Sequence, residues 1–486
     1  MSKSHPALVV NVSLAGPERD YDEHVTFLHH DFRLLRVGTS GNVAAAEELV
    51  RKWVEDASAI AVTGIREARA IGRYGGELEA IAHVKRATSA VPVTDGYHLG
   101  DVLQEWAIRH VQTEMPGYFN NARTVVLGGL YQDRCIRVLR EFTQNLEFAN
   151  PLLRLGLPAR LQSNALLGMA VDVGLWPVRR LPHRIWRLPR PSFRFPGSRI
   201  SNALALAAAR DCDVVVATYE ELIAFGLEDL AGKTVVTSAI SDERLVELAG
   251  RGVDLVVDTT PQPFRHVTVS AAVLEAMMLA LVSSHEHLTD DDLLDMVDAA
   301  GLRPRLLYPN GPKRRSRFAF VIHPLSQQYL SNVEPLRTIA KVSLPPVMDV
   351  VEKAMAYAPP FTYSHVGGIK SPTGAEAEGW LITVGGTPRE LMAHSPEFTY
   401  ARLLAAARMA QMLGAQVMGL GAFTKVVGDA GVTVAKQAPL PITTGNSYSA
   451  SGALWAAHEA VNRLGLAEVD EAGRIKGKTM VVGATG

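Results

Sequence analysis

Short, nearly continuous runs of β-branched and small apolar residues recur along this chain, and they constrain its fold more than any other feature. Ala7–Val12 (ALVVNV), Ala59–Gly64 (AIAVTG), Thr124–Gly129 (TVVLGG), Cys212–Thr218 (CDVVVAT), Lys233–Ser238 (KTVVTS) and Val253–Thr260 (VDLVVDTT) each suit a strand covered on both faces. Amphipathic stretches separate them. Near Asn42 to Glu55, Ala46, Leu49, Val50, Trp53 and Val54 fall at i, i+3, i+4, i+7 and i+8, one buried face of a helix. A further short strand is expected near Val91 to Val93, and a helix near Ser270 to Ser283. Strands alternating with helices predict parallel sheets with crossover helices, so the fold class is α/β throughout.

A length of 486 residues implies roughly three domains. The expected order is an α/β unit over 1–118 and a Rossmann-like or flavodoxin-like α/β unit over 119–285. A helix (Asp290–Ala300) and a basic linker ending in Gly311–Arg317 (GPKRRSR) fill 286–317. A third unit starts at the strand Phe318–His323 (FAFVIH) and runs to 475, and 476–486 opens a further fold. TVVLGG is followed by LYQDRC, without the third glycine of a dinucleotide fingerprint, so residues 1–285 receive no assignable site.

Composition excludes several classes. A net charge of −1 gives no global field toward nucleic acid or membrane, and 47% hydrophobic with 20% charged residues is the balance of a globular protein. The two cysteines, Cys135 and Cys212, cannot form a disulfide framework. The N-terminal apolar run is too short for a signal peptide, and no run approaches the ~20 apolar residues of a membrane span. The sequence is read as that of a cytoplasmic protein.

In the last third, Ser395-Pro396-Glu397 starts a helix that runs to about Leu413 and stops at Gly414. The strand AQVMGL follows. Thr443-Thr444-Gly445-Asn446 (TTGN) then precedes a helix with Ala450, Leu454, Ala457, Val461 and Leu464 on one face, ended by Gly465. Hydroxyl and amide side chains around a glycine, at a helix start with free N–H groups, suit a phosphate, a carboxylate or an oxyanion; they equally suit an ordinary cap. The strand TMVV leads into Gly483-Ala484-Thr485-Gly486, half of a phosphate-binding glycine loop.

The ordered set FAFVIHPLS, MLGAQ, VMGLGAFTKVVGDAG, ITTGNSYSA and KTMVVGATG resembles the long-chain acyl-acyl-carrier-protein reductases over residues 318–486. The resemblance implies reduction of a fatty acyl thioester, on acyl carrier protein or acyl-CoA, to a fatty aldehyde with NADPH (or NADH). It implies acyl transfer to a cysteine followed by hydride release of the aldehyde. By the same resemblance, residues 318–475 are the acyl-binding domain, and Gly483, Thr485 and Gly486 begin the cofactor loop. Thr443, Thr444, Gly445 and Asn446 line the junction of thioester and nicotinamide, and His323 lines the acyl site. The family's nucleophile is expected beyond Gly486, so the chain is read as an incomplete form. Two departures stand out: residues 1–317 form an added leader, and Lys425 sits where the family is richer in hydroxyls. Two other classes stay open, another NAD(P)-linked dehydrogenase and a non-enzymatic ligand-sensing or scaffold module.

Neither cysteine matches the family's nucleophile. Cys212 heads an apolar strand and reads as a buried thiol. Cys135 has Arg134 and Arg137 nearby, which would lower its pKa if the groups converged. His29-His30-Asp31 and His285-Glu286-His287 lack ligand spacing, and no metal is assigned. Trp176–Arg199 holds seven arginines, five prolines and no acid, so it reads as an extended arm. Its Arg179, Arg180, Arg184 and Arg187 suit an anionic surface such as acyl carrier protein, or a solvated loop.

Overall fold

The computed structural model describes residues 6–64, 82, 84–127, 133–148, 206–224, 226–282, 288–312, 315–324, 345–421, 429–465, 470–472 and 474. The chain divides into two compact units, Met1–Lys313 and Arg314–Gly486. Both are α/β.

The first unit opens with β1 (Ala7–Ser13), then a hairpin of β2 (Tyr21–Phe27) and β3 (His30–Gly38). Helix α1 (Val43–Trp53) follows, its start fixed by the Asn42 side chain, which accepts from the Ala45 N–H at 3.1 Å. Next come β4 (Ala59–Thr63), β5 (Val93–Thr94) and α2 (Tyr97–Glu114). These strands make sheet A, ordered β2-β3-β1-β4-β5, in which β2 is antiparallel and the others parallel. Val10, Val12, Ile60 and Val62 face α1, while Val9, Phe32, Leu34 and Ala61 face a second helical layer.

Sheet B continues through β6 (Thr124–Val126), α3 (Asp133–Phe142), β7 (Leu146–Phe148), β8 (Val214–Val216), α4 (Tyr219–Ala224), β9 (Thr234–Thr237), α5 (Asp242–Gly250) and β10 (Leu255–Asp258). Then follow α6 (Ala271–Leu281), α7 (Asp290–Ala299) and β11 (Arg305–Leu307). The order is β11-β10-β9-β8-β6-β7, with only β11 antiparallel. Counting from β6, the parallel strands run 2-1-3-4-5, the flavodoxin-like order.

Two boundaries of the sequence reading shift. Helix α6, placed with the second block, packs instead on β1, β4 and α2, covering the Val9–Phe32 face of sheet A. Its Ala272, Val273, Leu274, Ala276, Met277 and Met278 are all buried in that core. The segment 286–317 is no linker. Leu293, Val297 and Leu302 enter the core beside α6, and β11 pairs with β10, so most of it is integral to the first unit.

The second unit is sheet C. It contains β12 (Arg315–Ile322), α8 (Pro345–Tyr357), the hairpin β13 (Phe361–Lys370) and β14 (Glu376–Thr383), α9 (Pro388–Ala393) and α10 (Pro396–Met412). It closes with β15 (Val417–Leu420), α11 (Val432–Gln437), β16 (Ile442–Thr443) and α12 (Asn446–Leu464). The order is β13-β14-β12-β15-β16, again with one antiparallel edge strand. Helix α10 starts on Pro396 and is followed by Gly414 in the left-handed region, as its sequence signals require. Its Leu403, Ala406, Ala407 and Ala410 pack on Ala319, Val321, Ile382 and Met418.

Candidate functional site

In sheet C the chain leaves β12 for β14 on one side, then returns to β15 on the other. Between β12 and β15 the strand order therefore reverses, and open parallel sheets bind ligands in the crevice at the carboxyl ends of such strands. The sequence-assigned residues sit at that edge. His323 follows β12, Gly421 follows β15, and Thr443-Thr444-Gly445 ends β16 and enters α12. β15 stands between β12 and β16, so the His323 and Thr443 positions lie about two strand spacings, ~10 Å, apart.

His323 is buried, and its Nδ1 lies 3.1 Å from the Pro324 carbonyl oxygen. Burial holds its imidazole below the ordinary histidine range, against the smaller raising effect of that carbonyl. It is neutral near pH 7. The Thr443 hydroxyl oxygen accepts from the Gly445 N–H at 3.3 Å. Gly445 caps α12 with φ of 69°, a backbone state that glycine adopts without strain. Thr444 lies beside Gly431, which itself has φ of 88° and heads α11. The Asn446 side chain lies outside the described residues, as do Lys425, Gly483, Thr485 and Gly486.

The floor of the crevice was not read from the sequence. Along β12, Arg317, Ala319 and Val321 are buried against α10, while Phe318, Phe320 and Ile322 alternate onto the opposite face, where Phe320 is exposed. Their rings lie over glycines of the neighbouring strands. A Cβ on Gly379 would come within 2.6 Å of the Phe318 ring, and one on Gly419 within 2.5 Å of the Phe320 ring. Gly421 is held harder still: a Cβ there would sit 2.4 Å from the Val321 carbonyl oxygen. Gly379 of β14 thus makes room for the Phe318 ring, and the glycines of VMGLGAF for the Phe320 ring. The signal was present as F-A-F alternation in one strand and single glycines in each of its two neighbours.

Among the described residues no reactive thiol is present. Cys135 is buried on α3 and Cys212 precedes β8, and burial pushes both thiols up to about 12. The lowering expected from Arg134 and Arg137 does not occur. Arg134 is committed to Asp101 at 2.9 Å and Asp290 at 2.6 Å, and Arg137 is exposed on the other side of the helix. His29 occupies the two-residue turn between β2 and β3, where Leu28 and His29 both have positive φ, and Asp31 accepts from the Thr26 hydroxyl at 2.9 Å. His285-Glu286-His287 and the arm bearing Arg179, Arg180, Arg184 and Arg187 lie outside the described residues. Among the described residues no helix is long and apolar enough to cross a membrane, and no three His, Cys, Asp or Glu side chains group as metal ligands.

Similar solved structures include a Mycobacterium smegmatis protein in complex with β-D-fucofuranose, at 10% identity and TM-score 0.24, covering 52% of this chain and 80% of that one. A galactofuranose binding protein matches at 10% identity and TM-score 0.26, covering 60% and 98%. An extracellular ligand-binding receptor from Rhodopseudomonas palustris HaA2 matches at 12% and 0.27, covering 60% and 87%. Likeness at this level carries no functional argument. Within the first unit, residues 8–95 match a domain of unknown function, DUF8753, and residues 98–309 match another, DUF8754, the two spans meeting at the turn between β5 and α2.

Proposed function

We propose that the second unit is the acyl-binding part of an NADPH- or NADH-dependent reductase that converts a fatty acyl thioester, on acyl carrier protein or coenzyme A, to a fatty aldehyde. The observation that carries the reading is the flat apolar floor of Phe318, Phe320 and Ile322, which runs toward the switch-point edge where His323 and the TTGN turn stand. An acyl chain is apolar and extended, and it gains from such a surface about 0.8 kcal/mol per buried methylene. Its carbonyl would lie near the head of α12, where free N–H groups favour developing negative charge. Neutral His323, whose Nδ1–H faces the Pro324 carbonyl, adds no charge there near pH 7. The nicotinamide, when bound, supplies the hydride. The residues assigned to its loop, Gly483, Thr485 and Gly486, lie outside the described residues. A ligand-binding module without chemistry of its own is the second reading, favoured by the burial of both thiols.

The test is binding of palmitoyl-coenzyme A and free coenzyme A to the full chain by calorimetry. The acyl form should bind at least tenfold tighter, and Phe320→Ser should remove most of that preference while leaving free coenzyme A unaffected. Equal affinity for the two ligands in the native chain would refute the acyl assignment.

A further inference from the structure

Sheets A and C share one strand order, and the likeness extends to the turn that opens the last helix of each. Pro92-Val93-Thr94-Asp95-Gly96 precedes α2, and Pro441-Ile442-Thr443-Thr444-Gly445 precedes α12. Both glycines cap in the left-handed region, with φ of 71° and 69°. In both turns the threonine oxygen accepts the glycine N–H, at 2.9 and 3.3 Å. Gly100 N–H bonds to the Gly96 carbonyl and Ser449 N–H to the Gly445 carbonyl, at 2.9 and 3.0 Å. Trp106 and Trp455 stand at the same step along their helices, and RTVVLG (Arg123–Gly128) and KTMVVG (Lys478–Gly483) follow. The chain contains one α/β arrangement twice.

In the first copy α6 covers this turn. The Glu275 carboxylate accepts from the Thr94 hydroxyl at 2.8 Å and from the Leu99 N–H at 3.1 Å. Ala272 N lies only 2.2 Å from where a Cβ on Gly96 would be. In the second copy a Cβ on Gly445 meets no described atom within 4 Å. Among the described residues the apolar side chains of α12 also lack cover: Tyr448 is 86% exposed, Leu454 67%, Trp455 79% and Leu464 68%. Tyr448, Leu454 and Trp455 fall within about 120° around the helix and together present roughly 400–500 Å², a large patch for a monomer, whereas Leu464 falls on the opposite side.

We propose that α12 and its Thr443–Gly445 turn dock an apolar helix carrying a single carboxylate, the counterpart of α6. The exposed patch supplies roughly half of one side of a specific interface, which takes about 800 Å² per partner. The turn supplies the polar part: the Thr443 hydroxyl and the Tyr448 N–H correspond to the two donors that hold Glu275. The carboxylate leaves the first two amides of α12 unengaged, so this proposal stands whether or not the acyl reading holds.

The test uses the full chain and a fluorescent, lysine-flanked peptide of residues 268–282, the α6 sequence. Anisotropy should rise saturably, with slowed amide exchange over 448–464. Affinity should fall at least tenfold with Glu275→Gln in the peptide, and likewise with Trp455→Ser or Thr443→Val in the protein. Absent saturation, or equal binding by the Gln peptide and by both protein variants, overturns the proposal. Self-association that Trp455→Ser abolishes overturns it too, because the face then belongs to a second copy.

Discussion

Gly96 and Gly445 offer a matched experiment, because their backbones are alike and their surroundings are not. Alanine at either position meets the left-handed backbone cost, about 1–2 kcal/mol. At Gly445 nothing further is added, since no described atom lies within 4 Å of the new methyl. At Gly96 the methyl would sit 2.2 Å from Ala272 N and 2.4 Å from Ala272 Cα, backbone atoms that move only if α6 moves. Overpacking of that kind costs about 1–3 kcal/mol. A shifted α6 also loosens the two hydrogen bonds to Glu275, each worth about 1.5–3 kcal/mol for a charged acceptor. Gly96→Ala should therefore cost about 3–6 kcal/mol and Gly445→Ala about 1–2 kcal/mol. Amide exchange by mass spectrometry reads both helices in one sample. Opening of α2 should become over a hundredfold more frequent in Gly96→Ala, and opening of α12 about five- to thirtyfold in Gly445→Ala. Gly100→Ala serves as control: its methyl would lie 3.6 Å from the Ala271 Cβ, an ordinary contact within a helix, so it should be neutral or slightly stabilising. Equal losses at Gly96 and Gly445 would refute the reasoning.

Arg305→Met should cost about 3–5 kcal/mol in urea unfolding, because it strands Asp258, which is fully buried and bonded to the Ile240 and Thr260 N–H groups. Burial already raises the Asp258 pKa, so its contribution is present below the unfolded pKa and lost as pH rises through the folded one; the Arg305→Met deficit should therefore widen from about pH 4 to pH 7, and a constant deficit would contradict this. With thiol pKa values pushed up to about 12, Cys135 and Cys212 should resist a thiol reagent at pH 8 until the chain unfolds, so labelling of native protein would contradict their burial. Gly421→Ala places a methyl 2.4 Å from the Val321 carbonyl and should destabilise the second unit by about 1–3 kcal/mol, leaving exchange in sheets A and B unchanged.

Four strands of sheet B, β6, β8, β9 and β10, were legible because each is a β-branched run buried on both faces, whereas β7 (LEF) and β11 (RLL) were not. Helix α1 was legible from its apolar period and the start at Pro396 from its cap signals. The β2–β3 hairpin was not. Its turn is Leu28-His29, and neither residue signals positive φ. Helix α2 has a glycine cap and no capping side chain, and its apolar residues serve two cores: Leu99, Val102 and Leu103 face sheet A, Ala107, Ile108 and Val111 face sheet B. α6 could be read as a helix but not located, because nothing local says which sheet its apolar surface meets. At the candidate site, His323 and the TTGN turn could be named from sequence. The Phe318–Phe320 floor could not, since it exists only where F-A-F pairs in register with glycines of two other strands.

Thr94 and Glu275 are 181 positions apart, and five of the six strands of sheet B, β6 to β10, are threaded between them. On a ribosome adding about 5–20 residues per second, roughly 10–35 s separate the synthesis of the two partners. During that interval sheet A has emerged with α2 but without α6, so Phe32, Leu34, Leu99 and Leu103 stand uncovered on the nascent chain. The five parallel strands of sheet B can pair as they emerge in turn, with β11 added at the edge after α6; sheet A has to wait. The first sheet to leave the ribosome thus stays open while most of the second is made, and a pause between α2 and codon 271 leaves a half-built sheet for chaperones to hold.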